Sequence, residues 1–539
     1  MRTDALQKAR QAYLPVLPLI LRDLSSIRFF GENSCPGNAK IEELFPLTSG
    51  QAYLQGKKGD KREAKALLIG VVFSGGQAPG GHNVITGIYD SMKQLHPQSR
   101  LFGFLNGPGG IITGKSQELT AENLESFRNQ GGFDLIGSGR TKIETENQLR
   151  ASLETVSKMG LDGLVIIGGD DSNTNAAVLA EYFKKNGSKT RVIGVPKTID
   201  GDLKNAHVEI SFGFDTACKI YSEMVGNIAR DAQSAKKYYH FIKLMGRSAS
   251  HIVLECALAT QPNLALIGEE VGQQKKTLKQ IVDEIADLIC KRAELGKNFG
   301  IILIPEGLIE VIAECGVLIA ELNHLLLDAS HADASSVRPK LTPSSQSLFS
   351  SFPKSLQEQL LLKRDSHGNV EVSKIETEML LMELVGNEIE TRAKKGNSKA
   401  KFSPLRHFLG YEGRSGYPSN FDCNYCYALG FTALLLVEQG WTAYMASVSN
   451  LTKEPKEWGV GGVPLTTLMN LEMRKGEEKP VIQKALVDLQ GESFKHFAEK
   501  RESWKLQEEY LFPGPIQFFG EPVFTDRIPM TLLLDSREP

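Results

Sequence analysis

Short apolar runs recur along the middle of the chain, each followed by a segment rich in glycine, proline or acids. Residues 66–73, 163–167, 191–195 and 299–304 are such runs, and their length and flanks read as buried strands. Between them lie segments of helical periodicity. One is 278–293, with Leu278, Ile281, Ile285 and Leu288 on one face. This strand–loop–helix rhythm predicts an α/β fold with parallel-rich sheets wrapped by helices. In such sheets ligands bind beyond the carboxyl ends of the strands. The loops that start at 74, 168, 196 and 305 lie there.

Glycine usage divides the chain further. Residues 66–140 hold 15 glycines, whereas 311–409 hold 4, so tight turns belong to the first stretch and helices to the second. Ile375, Met379, Met382, Val385 and Ile389 recur at helical spacing and predict a core-facing stripe. The stretch 328–356, rich in Ser, Pro, Asp and Ala, reads as loops within an insertion. No repeat of 20–50 residues is evident, which argues against a solenoid.

At 539 residues the chain has room for two to four domains, taking about 100–200 residues each. The expected order begins with an N-terminal extension at 1–65. One α/β lobe takes 66–212 with about 424–500, and a second takes 213–310 with about 400–423. A mainly helical insertion at 311–399 and a C-terminal segment at 501–539 complete it. The net charge is −2, from 62 basic and 64 acidic residues. This argues against a nucleic-acid binder and a polybasic membrane-surface protein. The longest apolar stretches, 14–21 and 428–437, fall short of a membrane span of about 18 residues. No secretory leader is evident, and seven unpatterned cysteines suggest reduced thiols in the cytoplasm. The lone CxxC, Cys423 to Cys426, lacks a second ligand pair for zinc.

Three loops carry the candidate chemistry. The segment 74–83 (SGGQAPGGHN) follows a strand, and its glycines let backbone N–H groups approach phosphate. It is neither a P-loop nor GxGxxG, and a tight structural turn is the alternative. The segment 168–175 (GGDDSNTN) sets Asp170 and Asp171 at a strand end. Mg²⁺ bridges such carboxylates to phosphates, although a helix N-cap by Asp171 or Ser172 is the competing reading. The segment 196–202 (PKTIDGD) offers Lys197 as a cation, and in an extended loop Thr198, Asp200 and Asp202 project to one side. Its alternative is a polar turn. Three later segments are MGRS (245–248), IPEG (304–307) and YEGR (411–414). Arg247 and Arg414 suit phosphate because the guanidinium donates paired hydrogen bonds, and Glu306 sets an acid just beyond a strand; each segment alone also reads as a surface or structural feature.

In combination and order, these segments resemble the phosphofructokinase family, specifically its long-form pyrophosphate-using branch. GGQAPGGHN, GGDDSNTNA, PKTIDGDL, GFDTA, MGRSASHI, IPEG and YEGRSGYPSNFD carry the resemblance over about 66–310 and 400–480. It implies two Rossmann-like three-layer lobes, the first for diphosphate and Mg²⁺ and the second for fructose 6-phosphate. It also implies that Gly76 contacts the diphosphate, Asp170 holds Mg²⁺ and Arg140 faces the transferring phosphoryl group. Thr198, Ile199, Met245, Gly246, Arg247 and Glu306 would bind the sugar, with Asp200 as the base for its C1 hydroxyl. Tyr411, Glu412, Gly413 and Arg414 would enclose the 6-phosphate. Lys237 and Tyr238 resemble a segment that completes a partner's sugar site, so a homodimer is expected.

The same resemblance bears on the donor. ATP-using relatives have glycine where Asp171 and Lys197 stand. A carboxylate at the first position obstructs the nucleotide's α-phosphate, and a lysine at the second can neutralise the transferring group. Pyrophosphate is therefore expected. The competing readings are an ATP-dependent 6-phosphofructokinase, a non-catalytic regulatory subunit and an unrelated dinucleotide-binding oxidoreductase. A regulatory subunit predicts damaged acid loops, yet Asp170, Asp200, Asp202 and Arg247 are all present. The oxidoreductase predicts GxGxxG with a later acid, and neither is clear.

Overall fold

The computed structural model describes residues 4–34, 38–326, 334–362, 364, 369–474 and 477–536. The chain divides into two compact units. The first comprises Met1–Ala217, Tyr411–Ala485 and Ile516–Ile528, the second Cys218–Gly410, Leu486–Pro515 and Pro529–Pro539.

A ten-stranded sheet forms the first unit. Arg100–Phe104, Leu68–Ser74, Gly163–Gly168, Arg191–Pro196 and Tyr444–Ser449 lie in that order as parallel neighbours. Gly163–Gly168 is buried throughout, which is why its sequence is a continuous apolar run rather than an alternation. Antiparallel strands close both edges. Two of them, Ile27–Ser34 and Ala52–Lys58, come from the stretch expected to be an extension. Their buried Ile27, Phe29 and Leu54 make that stretch part of the unit.

Register decides the site. Ser74 pairs with Gly168, and Gly168 pairs with Pro196. Three strands therefore end level, and the three candidate loops emerge side by side. A short strand, Ser138–Gly139, joins the last two residues of Leu68–Ser74 and brings Arg140 to the same edge. Helices Gly81–Leu95 and Asn420–Glu438 pack closely: a Cβ at Gly87 would fall 2.4 Å from Tyr427 O, and one at Gly430 2.3 Å from Val84 O.

The second unit holds four parallel strands, ordered Leu264–Ala265, Phe299–Pro305, Tyr238–Leu244 and Pro404–Leu409. Pro305 and Leu409 both register with Leu244. The 311–399 stretch is mainly helical among the described residues, as expected. Its Phe349, Leu360, Leu381 and Val385 share one apolar cluster with Phe241, Ile285 and Ile302. Two local expectations change. Segment 328–356 contains helix Pro343–Ser351 and the start of Lys354–Leu362, seated by buried Phe349 and Leu356; residues 327–333 lie outside the described set. Ile375 precedes helix Thr377–Lys394, whose buried stripe runs through Leu380, Leu381, Val385 and Ile389. No described helix is long and apolar enough to cross a membrane.

Candidate active site

In the first unit the glycine loop is tied to its neighbours by short hydrogen bonds. Gly75 N–H donates to Gly139 O at 2.9 Å, and Ser138 Oγ donates to Gly75 O at 2.6 Å. Ser172 Oγ donates to Ser74 Oγ at 2.7 Å. Gly75 has φ +90°, and a Cβ there would lie 3.1 Å from Lys197 Nζ. At Gly76 a Cβ would stand 2.0 Å from an Arg414 terminal nitrogen. Both glycines thus admit a cation against the backbone. Arg414 also donates to Gln77 Oε1 at 3.1 Å and lies 5.3 Å from the Tyr411 ring centroid.

The acid loop is a helix start. Helix Asp170–Lys185 has Gly169 at its N-cap with no side-chain capping bond. Capping by Asp171 or Ser172 therefore does not occur; both acids stand in the first turn, where the helix dipole favours negative charge. Asn173 Nδ2 holds the turn by donating to Gly168 O at 2.7 Å and Gly169 O at 2.9 Å. Asp171 accepts from Lys142 Nζ at 3.1 Å.

The third loop is not extended. Asp200 N–H donates to Thr198 Oγ1 at 3.1 Å, which folds the segment into a turn. The period-two projection of Thr198, Asp200 and Asp202 is replaced by that turn. Lys197 and Asp202 are buried. Burial pushes the Lys197 ammonium down to about 8, aided by Arg414 and Arg140 and opposed by Asp200 and Asp170. It raises Asp200, against the pull of Lys484 and Lys197. Burial, Asp200 and Asp170 together lift Asp202 to about 7. Lys197 thus shares one electrostatic cluster with Arg140, Asp170, Asp200 and Arg414.

Lys484 answers the acids. Its Nζ is 3.6 Å from Asp170 Oδ2 and 3.9 Å from Asp202 Oδ2. Burial lowers its pKa, but the four carboxylates of Asp170, Asp202, Asp200 and Asp171 outweigh this and raise it. Neither Lys484 nor Lys142 was found by sequence reasoning. Lys142 sits two residues past Arg140, a weak signal; Lys484 belongs to no motif.

In the second unit the level strand ends gather Met245, Gly246, Arg247 and Glu306. Gly246 N–H donates to Glu306 Oε2 at 2.9 Å, and Glu306 N–H to Leu244 O at 3.0 Å. Arg247 lies 3.9 Å from Glu310, and a cavity of about 560 Å³ opens beside Arg247, Ser250 and Glu310. Lys237 and Tyr238 stand apart from this group, at the opposite end of the seven-residue strand Tyr238–Leu244, roughly 20 Å away at the usual rise. Lys236 and Tyr238 have φ of 51° and 72°, and Tyr238 is exposed. Tyr411–Gly413 and Arg414, expected with the sugar lobe, fall in the first unit.

The phosphofructokinase family model matches residues 68–437. The chain belongs to the phosphofructokinase family. Its sequence is 50% identical over 562 residues to the pyrophosphate–fructose 6-phosphate 1-phosphotransferase of Treponema pallidum, covering 100% of this chain and 98% of that one. The β subunit of the Solanum tuberosum enzyme of the same name is 55% identical over 92% of this chain and 87% of its own. Among solved structures, a pyrophosphate-dependent phosphofructokinase from Nitrosospira multiformis matches with a TM-score of 0.55 at 16% identity, covering 85% of this phosphofructokinase and 96% of that chain. That structural likeness supports the fold.

Proposed function

We propose that this phosphofructokinase transfers a phosphoryl group from pyrophosphate to the C1 hydroxyl of fructose 6-phosphate, giving fructose 1,6-bisphosphate and phosphate, reversibly and with Mg²⁺. The observation that carries the reading is the placement of Lys197 against Gly75 within the cluster of Asp170, Asp200, Arg140 and Arg414. That cluster combines a close backbone approach, cations for phosphate and half-buried carboxylates. Full-length relatives named for this reaction support it.

Among the described residues, no group of three or more acids, histidines or cysteines is arranged to hold a metal alone. Mg²⁺ instead takes one or two carboxylates and completes its shell with phosphate oxygens and water. Asp170 and Asp202, which already bracket the Lys484 ammonium, fit that requirement, with Asp170 as the ligand. When bound, Mg²⁺ supplies charge neutralisation on the diphosphate.

In this reading Gly76 lets the donor approach the backbone, while Lys197 and Arg140 stabilise charge on the transferring group. Asp200 takes the proton from the C1 hydroxyl as the new O–P bond forms. Thr198 and Ile199 orient the sugar beside it. Met245, Gly246, Arg247 and Glu306 bind the sugar, and Tyr411, Glu412, Gly413 and Arg414 take its 6-phosphate. Arg414 also reaches the Gly76 loop. Asp171 obstructs a nucleotide's α-phosphate, and its pairing with Lys142 shifts that effect from charge towards bulk. We further propose a cytoplasmic homodimer in which Lys237 and Tyr238 serve the partner's sugar site.

The test is a donor-by-acceptor activity screen with Mg²⁺ present. Turnover with pyrophosphate and fructose 6-phosphate supports the reading. Turnover with ATP and none with pyrophosphate, or no turnover with either donor, overturns it.

A further inference from the structure

The acid loops were legible as motifs, but the cation lying between two of their carboxylates was not. Lys484 follows the hairpin formed by Met469–Arg474 and Glu477–Ile482. Ile482 N–H donates to Thr174 Oγ1 at 3.0 Å, on the helix that begins with Asp170. Gln483 N–H donates to Leu468 O at 2.8 Å, and Ala485 N–H donates to Asp202 O at 2.7 Å. The backbone on either side of Lys484 is therefore pinned to both acid-bearing segments.

The side chain is placed accordingly. Its 3.6 and 3.9 Å separations from Asp170 and Asp202 exceed the about 2.7–2.9 Å of a charge-assisted hydrogen bond. The ammonium lies between the two acids. Lys484 is 35% exposed, against 22% for Asp170 and 7% for Asp202, so the cation is the most solvent-facing member of the three.

We propose that Lys484 is a diphosphate-binding residue whose ammonium contacts a phosphate oxygen of the donor. The proposal rests on pyrophosphate being the donor. A lysine that only balanced Asp170 and Asp202 would shape the loops carrying the sugar contacts Thr198 and Ile199 as well, so its loss would weaken sugar and donor alike. A donor ligand affects the donor selectively.

The experiment compares the full-length wild type with Lys484→Met and Lys484→Arg. Calorimetric titration uses imidodiphosphate with Mg²⁺ as a non-transferring probe, and fructose 6-phosphate separately; steady-state KM is measured for pyrophosphate and sugar. Lys484→Met should weaken imidodiphosphate binding and raise the pyrophosphate KM by about tenfold or more, the size of one lost charged contact. The sugar's dissociation constant should stay within about twofold, and Lys484→Arg should recover most of the donor affinity. Unchanged donor affinity in Lys484→Met, or an equal loss for the sugar, overturns the proposal. A wild type that neither binds imidodiphosphate nor turns over pyrophosphate overturns the donor reading itself, and this proposal with it.

Discussion

Asp200 and Lys197 stand three residues apart, and burial drives them in opposite directions, the acid up and the lysine down to about 8. A base with a raised pKa serves nearer neutral pH than an ordinary carboxylate. Asp200→Asn should therefore lower kcat by about a hundredfold or more with little change in the sugar KM; near-normal kcat would exclude Asp200 as the base. Lys197 predicts the alkaline side. As pH rises through about 8 its charge is lost, so kcat/KM for pyrophosphate should fall there, and Lys197→Arg should move that fall upward. Asp202 gives a stability prediction of definite sign. Its folded pKa of about 7 lies above the ordinary value, so folding favours its protonated form. That contribution is full below the unfolded value near about 4 and is lost as pH rises through about 7. Asp202→Asn should raise Tm at pH 8 relative to wild type, with the gain gone at acid pH. Of these residues the sequence displayed the acids and lysine plainly. That Gly76 sits against Arg414 was not legible, because Arg414 lies 338 positions away.

Among the elements, central parallel strands were the most legible. Both faces are buried, so their apolar character is continuous and needs no partner to interpret. The antiparallel strands Ile27–Ser34 and Ala52–Lys58 were missed because they mix apolar and polar residues and join the sheet through distant partners, Gly461 and Gly462 among them. Segment 196–202 was read as extended because spacing alone does not reveal a hydroxyl that accepts from the backbone two residues on. The N-terminal stretch also fastens the start of Asn420–Glu438. Fully buried Arg10 donates to Asn420 Oδ1 at 2.9 Å, Pro418 O at 2.8 Å and Cys423 Sγ at 3.0 Å. Arg10→Met should destabilise the protein by about 2–4 kcal/mol by stranding those buried acceptors, measured by urea unfolding. A change below about 0.5 kcal/mol, the scale of an ordinary surface substitution, would show that this strap is not needed.

For the whole molecule, the net charge of −2 excluded a polyanionic partner only of the nucleic-acid kind. Charge is segregated instead: Arg140, Lys197, Lys484 and Arg414 meet Asp170, Asp200 and Asp202 within the first unit. The choice of donor is the central claim, and Asp171 and Lys197 are its residues. Unrelieved, a carboxylate about 4 Å from an α-phosphate costs about 4 kcal/mol at an effective dielectric of about 20, or roughly three orders of magnitude. Because Lys142 pairs with Asp171, Asp171→Gly alone should recover only part of that in ATP use. The most direct measurement is kcat/KM for pyrophosphate and for ATP on the unmodified protein, with saturating fructose 6-phosphate and Mg²⁺. Pyrophosphate is predicted to exceed ATP by about tenfold or more, short of the unrelieved figure because Lys142 pairs with Asp171; ATP turnover equal to or faster than pyrophosphate turnover would contradict the account.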